Sequence, residues 1–123
     1  SGFDYSSKEV ENAKYNLGND NLSQSISEVD LSKKIPELHG EYNAMLFAHI
    51  IYYLPRMSFK KLLRAISQYT SSGSFFFLSF RTLTDFRYGL GNEKEKNEFV
   101  LDIDTTGEKG LLNIFYFMKI VKC

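Results

Sequence analysis

The sequence predicts an α/β fold: an open, mostly parallel sheet that ends in a C-terminal antiparallel hairpin. Three observations carry this expectation. Two nearly continuous apolar runs, 43–51 and 74–80, have the composition of strands buried on both faces of a parallel sheet. Apolar residues recur at helical spacing in two other segments, Val10/Ala13/Leu17 and Phe59/Leu62/Leu63/Ile66. Near the end, two apolar segments at 98–104 and 111–121 flank a short turn with two glycines, which predicts an antiparallel pair.

The elements follow in chain order. Residues 2–5, Gly-Phe-Asp-Tyr, read as the end of a strand, so the chain is expected to open in the middle of its fold. Ser6 suits a helix N-cap, with Glu9 three residues later as in a capping box. Gly18 suits the residue that closes that helix. Residues 19–23 are polar and loop-like, and 25–31 predict a short strand that runs into Asp30. After a connector at 32–40 comes the first buried strand. Pro55 punctuates the chain, and Ser58 is expected to cap the second helix. Residues 71–73 form a turn before the phenylalanine-rich strand at 74–80. Residues 82–97 read as a long, charged, glycine-containing segment, with Lys94, Glu95 and Lys96 in a solvated charged loop. In 98–104, Phe99, Leu101 and Ile103 alternate with Val100, Asp102 and Asp104.

Bulk properties narrow the function classes. The 123 residues suit one domain or part of one, and 43% hydrophobic residues suffice for a core. Fifteen basic residues balance fifteen acidic ones, which argues against nucleic-acid binding through a broad basic field. The single cysteine, Cys123, supports neither a disulfide framework nor a cysteine metal site within one chain, and a reducing cytoplasm fits it. The longest apolar run is too short to span a bilayer, so no membrane association is expected. His39 and His49 have no ligand spacing around them, so no metal is expected.

Three segments together resemble one family. Gly2-Phe3-Asp4-Tyr5-Ser6 followed by Val10-Glu11-Asn12-Ala13 resembles the second motif of Rossmann-like S-adenosylmethionine-dependent methyltransferases. The stretch from Tyr42-Asn43-Ala44-Met45 through His49 to Leu54-Pro55 looks like their fourth motif and the loop after it. The run from Leu62 through Ser71-Ser72-Gly73 into Phe75-Phe76-Phe77-Leu78 is similar to their helix, turn and fifth strand, without the proline usual in that turn. The likeness spans essentially the whole chain and rests on the order of motifs that are individually weak. The family's first strand and glycine-rich loop are absent: Gly89-Leu90-Gly91 is an isolated Gly-x-Gly after the fifth strand. In the family the first strand lies between the second and the fourth. The resemblance therefore implies an incomplete sheet, with a missing N-terminal segment, a homo-oligomer or a second chain to complete it.

The resemblance also implies site residues. Asp4 would grip the ribose of S-adenosyl-L-methionine, or else cap the next helix. Tyr5 would pack on the adenine, or beside the sheet. Asp30, with Leu31, would accept a bond from the adenine amino group, or act as an N-cap. Phe47 and Ala48 match positions near the methionine end of the cofactor. His49, at a strand end, is the candidate base, or is structural. Tyr52, Tyr53, Arg81, Arg87 and Tyr88 would meet a small-molecule methyl acceptor, the arginines holding an anionic group or else pairing with Asp85, and Tyr52 or Tyr53 or both belonging instead to the core. Two other readings stand beside the methyltransferase: a fragment or partner subunit that keeps the sheet and binds no cofactor, and another nucleotide-binding α/β module.

Overall fold

The computed structural model of the chain describes residues 1–18 and 25–118, and it is a mixed α/β structure. Among the described residues the strands are short and lie in three small sheets. β1 (Gly2–Asp4) pairs in parallel with β2 (Ile26–Glu28), and β3 (Ala44–Phe47) pairs in parallel with β4 (Phe75–Leu78). The third sheet has the order β5, β8, β7, β6, from β5 (Arg81–Thr82), β6 (Gly91–Glu95), β7 (Glu98–Leu101) and β8 (Leu112–Tyr116). β5 joins β8 in parallel, whereas β7 is antiparallel to both β6 and β8. The expected hairpin of the last two apolar segments is therefore present. The expected strand over residues 119–121 lies outside the described residues.

α1 (Ser7–Leu17) begins and ends where its capping residues direct. Ser6 is extended, and its Oγ accepts the Glu9 N–H at 3.4 Å. Gly18 takes a φ of 63°, and its N–H returns to the Lys14 and Tyr15 carbonyls. α2 (Arg56–Ile66) starts two residues before the expected cap. Pro55 precedes its first turn, and the Ser58 hydroxyl donates to the Ser32 carbonyl at 3.2 Å. Proline's fixed φ suits a helix entry, so a side-chain cap at Ser58 is not required.

The amphipathic stripe of α2 does what its spacing predicts. Leu62 and Ile66 are buried with Leu38, Phe47, Ile51 and Leu54, and Phe59 and Leu63 pack on the edge of this core. A second, smaller core gathers Phe99, Leu101 and Phe115, with Tyr88 edge-on to both phenylalanine rings. Arg56 links the two regions: its Nε donates to Glu98 Oε1 at 2.7 Å, and its guanidinium lies 5.3 Å from the Tyr116 ring centroid. That pairing explains why an acidic residue is buried at the start of β7.

Two expectations about the strands are corrected. The runs at 43–51 and 74–80 are not buried on both faces. Only β3 and β4 form within them, and Leu46, Phe75 and Phe77 are 72%, 66% and 56% exposed. Residue pairing puts Ala44 opposite Phe75 and Leu46 opposite Phe77, so these side chains share one face that no described element covers. The charged residues 94–96 are not all loop, because Lys94 and Glu95 belong to β6, whose five residues are all exposed. A polar edge strand has no apolar alternation to reveal it, and its charges discourage further edge pairing.

Candidate functional site

A cleft of about 1020 Å³ runs between the β1 and β3 side of the molecule. Strand ends and the loops after them bring its polar groups together. β1 delivers Asp4 and Tyr5, the segment after β2 delivers Asp30 and Leu31, and the end of β3 delivers Phe47, Ala48 and His49. The 3-10 turn at Ile51–Tyr53 adds Tyr53, and the loop before β8 adds Thr106 and Glu108. Every residue with an expected cofactor role, and the candidate base, thus lines one cavity. Tyr52, Arg81, Arg87 and Tyr88 do not line it.

The carboxylates of this cleft differ in how much is left for a ligand. Asp4 Oδ1 accepts the Ser6 N–H at 2.8 Å, which turns the chain into α1. Both oxygens of Asp30 are engaged: Oδ1 accepts from the Ser32 N–H at 3.0 Å and the Ser32 hydroxyl at 2.6 Å, and Oδ2 pairs with Lys33 at 2.9 Å. The Ser32 hydroxyl, then Lys33 and the Ser32 amide, hold the Asp30 carboxyl down at about 2. Asp30 therefore fixes the turn after β2, as its capping alternative anticipates, while still bordering the cleft.

His49 is exposed and has a φ of 55°, a left-handed backbone that histidine adopts less often than glycine or asparagine. Its ring meets Tyr52 edge-on at 6.4 Å. A non-glycine residue held in this region costs about 1–3 kcal/mol and concentrates at functional turns. Periodicity carries no signal of such a conformation, so the strain is visible only in the fold.

The wall of the cleft beyond Tyr53 is a buried ionic cluster that residue patterns do not disclose. Glu108, only 6% exposed, accepts from the Tyr53 hydroxyl and from Arg81 Nη2 at 2.6 Å through Oε1. Arg87 Nε stands 2.8 Å from its Oε2 as an ion pair lacking hydrogen-bond alignment. Arg81 also donates to the Asn113 side chain and lies over the Tyr52 ring, 3.9 Å from its centroid. Burial alone would raise the Glu108 carboxyl, but the bonds from Tyr53 and Arg81 and the Arg81 charge outweigh it and hold the group below its ordinary value. Burial, with the bond to Glu108, pushes the Tyr53 phenol up to about 12.

This cluster engages the residues expected to meet an acceptor. Arg87 pairs with Asp85 at 2.9 Å as well as with Glu108, and Arg81 is buried. Tyr52 is core, whereas Tyr88 hydrogen-bonds Asn97 at 2.9 Å and covers the second core. Glu108 and Asn113 escaped the sequence reading because Glu108 sits in a glycine-bounded turn and Asn113 within an otherwise apolar strand.

For S-adenosyl-L-methionine, the cofactor that the resemblance implies, the lining offers polar and aromatic side chains on one side only. Asp4 and the exposed Tyr5 suit a ribose and a flat base, and the volume is at the upper end of small-molecule sites, roughly 300–1,000 Å³. Its described lining contains Gly2 and Gly107 but no glycine-rich turn leading into a helix, so it has no backbone cradle for the amino-acid half. No protein-family model matches the chain, and no curated protein or solved structure matches it either.

Proposed function

We propose that the chain is the nucleoside-holding part of a Rossmann-like S-adenosyl-L-methionine-dependent methyltransferase acting on a small-molecule acceptor. The observation that carries this reading is the convergence of Asp4, Tyr5, Asp30, Leu31, Phe47, Ala48 and His49, from three strand ends, on one cleft. Ligands of open α/β sheets bind at the carboxyl ends of strands, which is where these residues lie. Asp4 accepts from the ribose hydroxyls, Tyr5 stacks on the base, and Phe47 and Ala48 border the reacting end. The cofactor supplies an already activated methyl group, so the chain's task is to position the acceptor and exclude water. His49, which follows β3 and lines the cleft, then serves as the base.

A second reading is favoured by the engaged charges. Asp30, Arg81 and Arg87 all have internal partners, as in a partner subunit that keeps the sheet and binds no cofactor. Calorimetric titration with S-adenosylhomocysteine separates the two. Saturable binding that Asp4→Ala weakens by about tenfold or more, the loss of charge-assisted hydrogen bonds, supports the methyltransferase reading. Absence of binding to a folded chain favours the second.

A further inference from the structure

The charges of this chain balance overall but are segregated along it. Residues 42–84 contain five basic residues and no Asp or Glu. The fold absorbs two of the five, pairing Arg56 with Glu98 and Arg81 with Glu108. The other three, Lys60, Lys61 and Arg64, lie on α2, are exposed, and have no ion-pair partner among the described residues.

These three cations share one face of the helix. At 3.6 residues per turn, Met57, Lys60, Lys61 and Arg64 fall within an arc of about 100°. The arc is opposite Leu62 and Ile66, the residues that α2 buries. Met57 is 63% exposed, an apolar side chain framed by three positive ones. The chain's own stability does not account for the arrangement. Arg56, Lys60 and Arg64 follow one another a turn apart, where like charges repel, and no carboxylate stands in the first turn, where it would favour the helix.

The shape and chemistry of this face select an occupant. The four side chains form a convex ridge, and none of them lines the cleft. A ridge gives a peptide no groove, whereas a flat, deformable surface meets it along its whole length. Phe59, the aromatic residue of α2, packs on the core, so the face has no platform for stacked bases. Met57 suits a lipid surface in particular. Its side chain can enter the acyl boundary while the lysine stems snorkel and keep their ammonium groups among the headgroups. The shortness of the chain's apolar segments bears on spanning a bilayer, not on adsorption to one.

We infer that the outer face of α2 docks on a bilayer surface rich in anionic lipid, with Met57 inserted and Lys60, Lys61 and Arg64 paired with headgroups. This inference is independent of the cofactor reading, because α2 borders the cleft through Leu62 and Ile66 on its other face.

The test is sedimentation of the full chain with vesicles of phosphatidylcholine, alone or mixed with phosphatidylserine in roughly equal amounts. Binding should be about a hundredfold tighter to the mixed vesicles and should weaken as salt is raised. Each cation near the surface contributes about fivefold, so Lys60→Gln/Lys61→Gln/Arg64→Gln should lose about a hundredfold. Met57→Ser should weaken binding about threefold or more and leave its salt dependence unchanged. All four positions are exposed, so a urea midpoint that does not fall serves as the check of folding. Equal binding to the neutral vesicles, or undiminished binding of the triple variant, would assign adsorption to the exposed phenylalanines and overturn the inference. Unchanged binding of Met57→Ser would overturn it too, as would a labelled polyglutamate or single-stranded oligonucleotide that binds more tightly than the mixed vesicles at equal charge concentration.

Discussion

Replacement of Glu108 by Gln probes the most heavily committed side chain in the fold. The substitution keeps shape but removes the charge that faces Arg81 at 2.6 Å and Arg87 at 2.8 Å. Arg81 is 8% exposed and cannot turn to water without opening the cluster. Breaking a buried pair from one side costs about 3–5 kcal/mol. Arg81 retains the Asn113 side chain and the Tyr52 ring, which favours the lower end, about 3 kcal/mol. For a chain of this length that corresponds to a fall in Tm of roughly 10 °C. The assay is urea unfolding at neutral pH followed by tyrosine fluorescence, since the chain has eight tyrosines and no tryptophan. Removing the stranded cation as well, in Arg81→Met/Glu108→Gln, should cost less than the sum of the two single changes by about 2 kcal/mol. A loss below about 1 kcal/mol for Glu108→Gln, with additive behaviour in the double variant, would refute the idea that this buried cluster organises the cleft wall.

Other expectations follow from particular positions. Leu62→Ala, at 1% exposure in the main core, should destabilise by about 2–5 kcal/mol in the same urea experiment. Gly91 has a φ of 132°, and an added Cβ would run into the Val100 carbonyl oxygen, so Gly91→Ala should cost about 2 kcal/mol or more and speed amide exchange in β6 and β7. The folded chain holds the Asp30 and Glu108 carboxyls below their ordinary values of 3.8 and 4.5, so the unfolded chain takes up these protons first. Their stabilisation should be fully present above about pH 5 and fall as the pH drops toward about 2, read as a falling urea midpoint. Tyr53 works in the opposite sense. Its phenol is raised from 10.0 to about 12, so stability should fall as the pH rises across that interval, and Tyr53→Phe should reduce this alkaline dependence to the part that the buried Tyr116 phenol, also raised, contributes.

What the sequence disclosed tracks how local each signal is. Ser6, Glu9 and Gly18 define α1 because caps act within a few residues, and the stripe of α2 is legible because a buried helix face repeats every turn. The apolar runs around β3 and β4 misled on burial, since composition tells that a surface is apolar and not whether another layer covers it. β6 was invisible for the complementary reason, being held by backbone bonds to β7 with no buried side chain. Asp4 and His49 read as strand-end residues in the sequence, and their meeting in one cleft follows from that placement. The Glu108 cluster joins residues up to 55 positions apart and depends on burial, which no local pattern encodes.

The bare phenylalanines of β4 have a consequence for handling the protein. Residues 74–80, Ser-Phe-Phe-Phe-Leu-Ser-Phe, carry no charge and no proline, the composition of segments that stack into cross-β fibrils. In this fold Phe75 and Phe77 stay on the surface of a two-stranded sheet instead of being sequestered by folding. The native state therefore does not shield the chain's most self-adhesive segment. Concentration, rather than denaturation, should trigger its aggregation, and a lysine in place of Phe77 would act as a gatekeeper that keeps the chain dispersed.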